Sequence, residues 1–241
     1  MASPWINYNM KRVSVGLDAW LNPAELAVMS EELDKSVLAS IQPRMVKLTG
    51  FDAHGRIVSH ASGFLYSTEA TLIVTCGHVR FYSPPPPQQP PPSEQPPQQL
   101  EVARFRARYA SDGMEEDVSV VTAPHPVFDL MLLSGSRRAA SNFLASSIGI
   151  GDTAYVAGFP PESTAPCFSK GMVGSSTHLS FTVDAHADNG WSGGPVVNKC
   201  GQLVGVMQQG LGSTIKRPDA ISAGRLHDFV QIHNCIGLSS A

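Results

Sequence analysis

Apolar residues recur at helical spacing near the two ends of the chain, and between those ends they fall in short runs broken by turn residues. Near the N-terminus Asn22 can cap a helix, Pro23 suits its first turn and Glu25 stands where a capping box places an acid. Leu26, Met29, Leu33 and Val37 then form one apolar stripe, so the pattern predicts a helix over about 22–39. A second helical face, Leu226, Phe229, Val230 and His233, predicts a terminal helix within Ala220–His233. From Met45 to Leu133 the runs are short and rich in β-branched residues, punctuated by His54-Gly55 and Asp112-Gly113, as strands and turns require. A polar stretch follows over 135–147, with Arg137 and Arg138, and Ile148 to Ser222 supplies a second set of strands. The organisation is thus an N-terminal extension at 1–43, a first strand set at 44–134, a crossover at 135–147, and a second strand set with the closing helix at 148–241.

Residues 84–99 interrupt the first set with a proline- and glutamine-rich insert. Proline cannot donate to a sheet and favours extended polyproline II, so the insert is a surface excursion between two strands. It is either a ligand for an SH3- or WW-type domain or a loop with no partner.

At 241 residues and 42% hydrophobic, the chain can bury a full core. Its 17 basic and 20 acidic residues give no electrostatic footprint for nucleic acid or an anionic membrane. No apolar run approaches a membrane span, and residues 1–8 lack the charged-then-apolar layout of a secretory signal. The expected location is therefore intracellular, cytoplasmic or nuclear. Cys76, Cys167, Cys200 and Cys235 lack metal-site spacing and read as reduced, mostly buried thiols, with disulfides the alternative. No metal and no organic cofactor is expected.

The chemistry centres on Asp188-Asn189-Gly190-Trp191-Ser192-Gly193-Gly194-Pro195. Glycines let backbone N–H groups approach a bound carbonyl, and a serine hydroxyl among them becomes a nucleophile once a base takes its proton. Candidates for that base and its orienting acid lie upstream. Ala70 to Val79 is a β-branched run delivering His78 at its end, and Val127 to Leu133 is a short apolar strand with Asp129 embedded in it. A carboxylate buried there needs a partner, which an imidazole N–H supplies. His78, Asp129 and Ser192 are thus the candidate triad, with the N–H groups of Gly190 and Ser192 as the candidate oxyanion hole.

In this order these segments resemble the chymotrypsin-fold serine endopeptidases, and within them the HtrA/Deg branch. The segments that carry the resemblance are Ser62-Gly63-Phe64-Leu65-Tyr66-Ser67, Val74-Thr75-Cys76-Gly77-His78-Val79, Phe128-Asp129-Leu130-Met131-Leu132-Leu133, Ile150 to Pro160, Thr182-Val183-Asp184-Ala185, and Gly190 to Pro195. The resemblance covers nearly everything from Val37 onward. It implies an all-β fold of two six-stranded antiparallel barrels with an N-terminal and a C-terminal helix, and protein or peptide substrates. It leaves no segment for the PDZ domain many HtrA/Deg enzymes carry. It also offers the N-terminal helix a role in homo-oligomerisation, beside that of packing on the body of the enzyme. By the same resemblance His186 lies where the family builds its primary specificity pocket, and there it either accepts an acidic or polar side chain or points outward. Trp191 replaces an asparagine or aspartate of the relatives and is expected to line the cleft or gate the oxyanion turn. Gln208-Gln209-Gly210, after the strand Leu203 to Met207, are expected to pair with the substrate backbone.

Two rival readings remain. Gly190 to Gly194 also fits the Gly-x-Ser-x-Gly elbow of α/β-hydrolases, but that elbow needs a helix after it and a histidine downstream of the acid, whereas Pro195 and β-branched residues follow here. The other is a protease-like fold whose catalysis is lost or gated, acting as a peptide- or protein-binding regulatory module.

Overall fold

The computed structural model describes residues 23–82, 100–208 and 218–237, in two compact units, Met1–Ser36 and Val37–Ala241. Helix α1 spans Pro23–Ile41; its final turn, which buries Val37 and Ile41, belongs to the second unit. Asn22, the expected cap, and the insert 84–99 lie outside the described residues, as do the side chains of Leu26 and Met29.

The second unit holds two closed six-stranded antiparallel barrels. The first is built from β1 (Met45–Phe51), β2 (Ile57–Leu65), β3 (Leu72–Cys76), β6 (Arg104–Tyr109), β7 (Glu115–Val120) and β8 (Leu130–Ser134), in the order β1-β2-β3-β8-β7-β6. Between β3 and β6, β4 (Phe81–Tyr82) and β5 (Leu100–Glu101) pair with each other, so the chain on either side of the proline-rich insert forms a two-stranded stalk. The second barrel contains β9 (Thr153–Gly158), β10 (Cys167–Ser176), β11 (Ser180–Val183), β12 (Pro195–Asn198), β13 (Leu203–Gln208) and β14 (Asp219–Ser222), in the order β10-β11-β14-β13-β12-β9. Helix α2 (Ala223–Gly237) closes the fold. Among the described residues no helix is long and apolar enough to cross a membrane.

Burial explains why some strands alternate in sequence and others do not. In β6, Phe105, Ala107 and Tyr109 turn inward while Arg104, Arg106 and Arg108 face out. The arginines pair across to β7, Arg104 and Arg106 with Asp117 and Arg108 with Glu115 at 2.8–3.0 Å, contacts that set cross-strand register more than stability. In β3 and β8, Ile73 to Cys76 and Leu130 to Leu133 are buried throughout, so their sequences read as continuous apolar runs. Of the cysteines, Cys76 is buried, Cys167 half-buried and Cys200 exposed, so they are less buried than their sequence setting suggested.

Two boundaries differ from the sequence reading. The run Val127 to Leu133 is not one strand: β8 starts at Leu130, and Val127 is 67% exposed. Residues 126–128 form a turn capped by His125, whose Nδ1 accepts the N–H groups of Val127 and Phe128 at 3.3 Å. The terminal helix starts at Ala223, because Ala220 to Ser222 are held in β14 by pairing with β13. Its inward face is as expected, with Leu226, Phe229 and Val230 buried. Phe229 has no exposed surface and stacks near Phe128 and His125, the turn ahead of Asp129. Phe229→Ala is expected to destabilise the protein by about 3–5 kcal/mol, measured as a lower urea midpoint at unchanged slope.

Candidate active site

Strand ends place His78 and Asp129 side by side, and the turn that carries Ser192 is tied to the same barrel by the Ser62 N–H, which donates to the Ser192 carbonyl at 2.9 Å. His78 lies in the 3₁₀ turn Gly77–Arg80 that follows β3. Asp129 immediately precedes β8, the hydrogen-bonded neighbour of β3, so adjacent strand ends deliver histidine and aspartate together. Asp129 adopts φ +51°, a left-handed conformation that aspartate tolerates better than most residues. Its backbone N–H donates to the His125 carbonyl at 2.8 Å, and its own carbonyl accepts from Gly77 N–H at 2.8 Å.

The contact between the two side chains is two-pronged. Asp129 Oδ1 accepts the backbone N–H of His78, and Oδ2 lies 2.8 Å from His78 Nδ1, each bond 2.8 Å long. Gln208 Nε2 also donates to Oδ2. Burial acts to raise the Asp129 pKa, but the hydrogen bonds from His78 and Gln208 and the imidazole charge outweigh it and hold the carboxyl below its ordinary value. Asp129 is therefore ionised across the neutral range, and Nδ1 is the nitrogen that carries the proton. That leaves Nε2 as the site for a base.

Ser192 sits in the turn between β11 and β12, and is 6% exposed. Gly190 and Gly193 there have φ of +84° and +87°, a backbone only glycine adopts without strain. The turn is held by alternate N–H groups. Asn189 and Trp191 donate to the Asp188 side chain and carbonyl, at 2.8 and 3.2 Å, Gly193 to the Met207 carbonyl at 2.8 Å, and Gly194 to the Trp191 carbonyl at 3.0 Å. The N–H groups of Gly190 and Ser192, which alternate with these, have no acceptor among the described residues. Nor does a hydrogen bond join the Ser192 hydroxyl to His78.

Cys76, His78 and Asp129 present donor atoms within 4.8 Å of one another, close enough for a metal. The donor set does not suit one. Burial and the nearby Asp129 charge push the Cys76 thiol well above its usual pKa, and its S–H is spent on the Met207 carbonyl. Cys76 is a core residue, as its strand context predicts.

Comparison with known proteins gives the family. The sequence profile of the Trypsin-like peptidase domain matches residues 61–206, more than half of the chain. The chain belongs to the trypsin-like peptidase domain family. Its fold is that of the serine endoprotease from Yersinia pestis, with a TM-score of 0.65 at 17% identity, covering 83% of this chain. The match spans 65% of the Yersinia chain, just under two thirds of its length. Among curated proteins none matches.

Within this trypsin-like frame Trp191 sits deeper than expected, while His186 takes the exposed one of its two expected placements. Trp191 does not line the cleft: it is 3% exposed, within the apolar cluster of the second barrel. It packs on Gly158, where an added Cβ would come within 2.5 Å of the indole ring, so the small residue on β9 makes the room. His186 is exposed, with its ring edge-on to Trp191 at 6.3 Å and its N–H on Ser169 Oγ at 2.9 Å. Gln208 turns its side chain onto Asp129, while its backbone pairs with Asp219. Gln209 and Gly210 lie outside the described residues.

The Gln208 amide favours the ionised form of Asp129, so without it the carboxyl protonates at higher pH. Gln208→Leu is expected to lower kcat/KM on the order of tenfold, the worth of one charge-assisted hydrogen bond. The sign of the accompanying pH effect follows from linkage: a depressed carboxyl contributes stability that is lost as pH falls through its folded-state pKa. In the variant that loss begins at higher pH, which acid unfolding monitored by circular dichroism would show.

Ser62, whose hydroxyl donates to the Gly190 carbonyl at 2.7 Å, is not among the candidate site residues the sequence singles out. A polar side chain within the buried run Ala61 to Leu65 was the available signal.

Proposed function

We propose that the chain is a serine endopeptidase that hydrolyses peptide bonds through His78, Asp129 and Ser192 and an acyl-enzyme intermediate. The observation that carries this reading is the pair of unsatisfied N–H groups on Gly190 and Ser192. A buried backbone donor without a partner is rare and costly in a finished fold. Two such donors on one glycine turn beside a serine favour an acceptor that arrives with the substrate, as the oxyanion of a tetrahedral intermediate does.

In this mechanism a bound peptide presents its scissile carbonyl to Ser192. His78 Nε2 closes on the Ser192 hydroxyl as the substrate excludes water, and takes its proton while Oγ attacks. Asp129 holds the proton on Nδ1 and offsets the imidazolium charge. The Gly190 and Ser192 N–H groups receive the oxyanion. His78 then gives the proton to the leaving amine, and water, activated by the same nitrogen, releases the acyl group.

Casein degradation tests the reading. The wild type is expected to fragment unfolded casein, and Ser192→Ala is not. Cleavage of simple acyl esters without any cleavage of casein would instead indicate an esterase.

A further inference from the structure

We propose that Ser62 is a positioning residue for the oxyanion hole, acting through the peptide planes of the Gly190–Gly193 turn; this rests on the peptidase reading above. Ser62 lies in β2 with no exposed surface, and every polar atom it has is committed. Its N–H donates to the Ser192 carbonyl at 2.9 Å, and its carbonyl accepts from Thr75 Oγ1 at 2.7 Å. Its hydroxyl donates to the Gly190 carbonyl at 2.7 Å and accepts the Phe159 N–H at 2.8 Å.

The geometry bears directly on the two candidate donors. Ser62 holds the carbonyl of the Gly190–Trp191 peptide and the carbonyl of the Ser192–Gly193 peptide. The Ser192 N–H belongs to the peptide between these two, and the Gly190 N–H to the peptide just before them. Gly190, at φ +84°, has no side chain to restrict its backbone, so its orientation depends on what its peptide groups bond to. The hydroxyl of Ser62 sets it, from the other barrel.

Lys47 supports the same arrangement. It stands directly opposite Ser62 in the β1–β2 register. Its largely buried ammonium donates to the carbonyls of Pro161 and Ser163, the latter at 2.9 Å. That loop begins at Phe159, the other partner of the Ser62 hydroxyl. A Cβ on Gly190 would collide with the Phe159 carbonyl, so the loop Lys47 holds is the surface on which Gly190 rests. Removing the Ser62 hydroxyl frees the Gly190 carbonyl and strands the Phe159 N–H. The turn then samples orientations in which the two donors no longer converge.

The test compares Ser62→Ala and Ser62→Thr with the wild type, using a peptide amide substrate and a peptide boronic acid, whose tetrahedral adduct presents an oxygen to the oxyanion hole. Ser62→Ala is expected to lose kcat by about 10- to 100-fold, less than the loss typical of removing a donor outright, with KM within about threefold. Boronate inhibition should weaken in parallel with kcat, and Ser62→Thr, which keeps the hydroxyl, should recover most of the loss. A folded Ser62→Ala with wild-type kcat would overturn the proposal, as would a loss shared equally by kcat and peptide binding, or one that Ser62→Thr does not recover. If Ser62→Ala does not fold, Ser62→Cys, which keeps the bulk but is a weak hydrogen-bond donor, takes its place with the same expected and overturning results. Failure of the peptidase reading is distinct, since the wild type itself would then cleave nothing.

Discussion

Asp129→Asn is expected to lower kcat by about four orders of magnitude while leaving the fold intact. The carboxylate accepts from the His78 backbone, His78 Nδ1 and the Gln208 amide, and donates nothing. An asparagine in the same place presents an NH₂ group to at least one of those donors. Where it faces Nδ1, the imidazole must accept there and carry its proton on Nε2, the nitrogen needed to take the Ser192 proton. Asparagine tolerates the left-handed conformation at φ +51° as well as aspartate does, so the turn before β8 should survive. Steady-state kinetics on a peptide substrate, beside a circular dichroism melt, would show a catalytic loss without a stability loss. A variant retaining more than about a tenth of the wild-type kcat would remove Asp129 from the mechanism.

Ser192→Ala should cost more, on the order of 10⁶-fold in kcat, because no acyl-enzyme can form. The substitution removes one oxygen from a turn whose backbone is held by Ser62, Met207 and Asp188, so folding should be unaffected. Peptide binding should persist, since the backbone donors of the turn are retained. Unchanged peptide affinity with abolished turnover is the signature expected of a lost nucleophile, as opposed to a disrupted cleft.

The three candidate residues stand out in the sequence because each lies at a junction between an apolar run and a turn residue: His78 after Val74 to Gly77, Ser192 among glycines before Pro195, and Asp129 before Leu130 to Leu133. The barrels were legible through the same punctuation. What escaped depends on partners far apart in the chain. Trp191 in a glycine-rich turn reads equally well as a cleft wall or a core residue, and only the gap over Gly158 decides between them. Gln208 at a strand end reads as a substrate contact until β8 brings Asp129 beneath it. Ser62 reads as one polar residue in a buried strand, because its partners Gly190 and Phe159 are 128 and 97 positions away. The turn ahead of Asp129 was masked by Val127 and Phe128, apolar residues that extend the strand pattern although His125 folds them back.

If Ser192 is an activated nucleophile, a fluorophosphonate probe should capture it. Such a probe phosphonylates a serine only when a base and an oxyanion site are assembled around it. Incubation of the folded wild-type protein with the probe, followed by peptide mass spectrometry, is expected to show one adduct, on Ser192, absent from His78→Ala and Ser192→Ala. A folded wild type that takes no label, or takes it on another residue, would mean that Ser192 is not an activated nucleophile and leave a binding module with a protease fold.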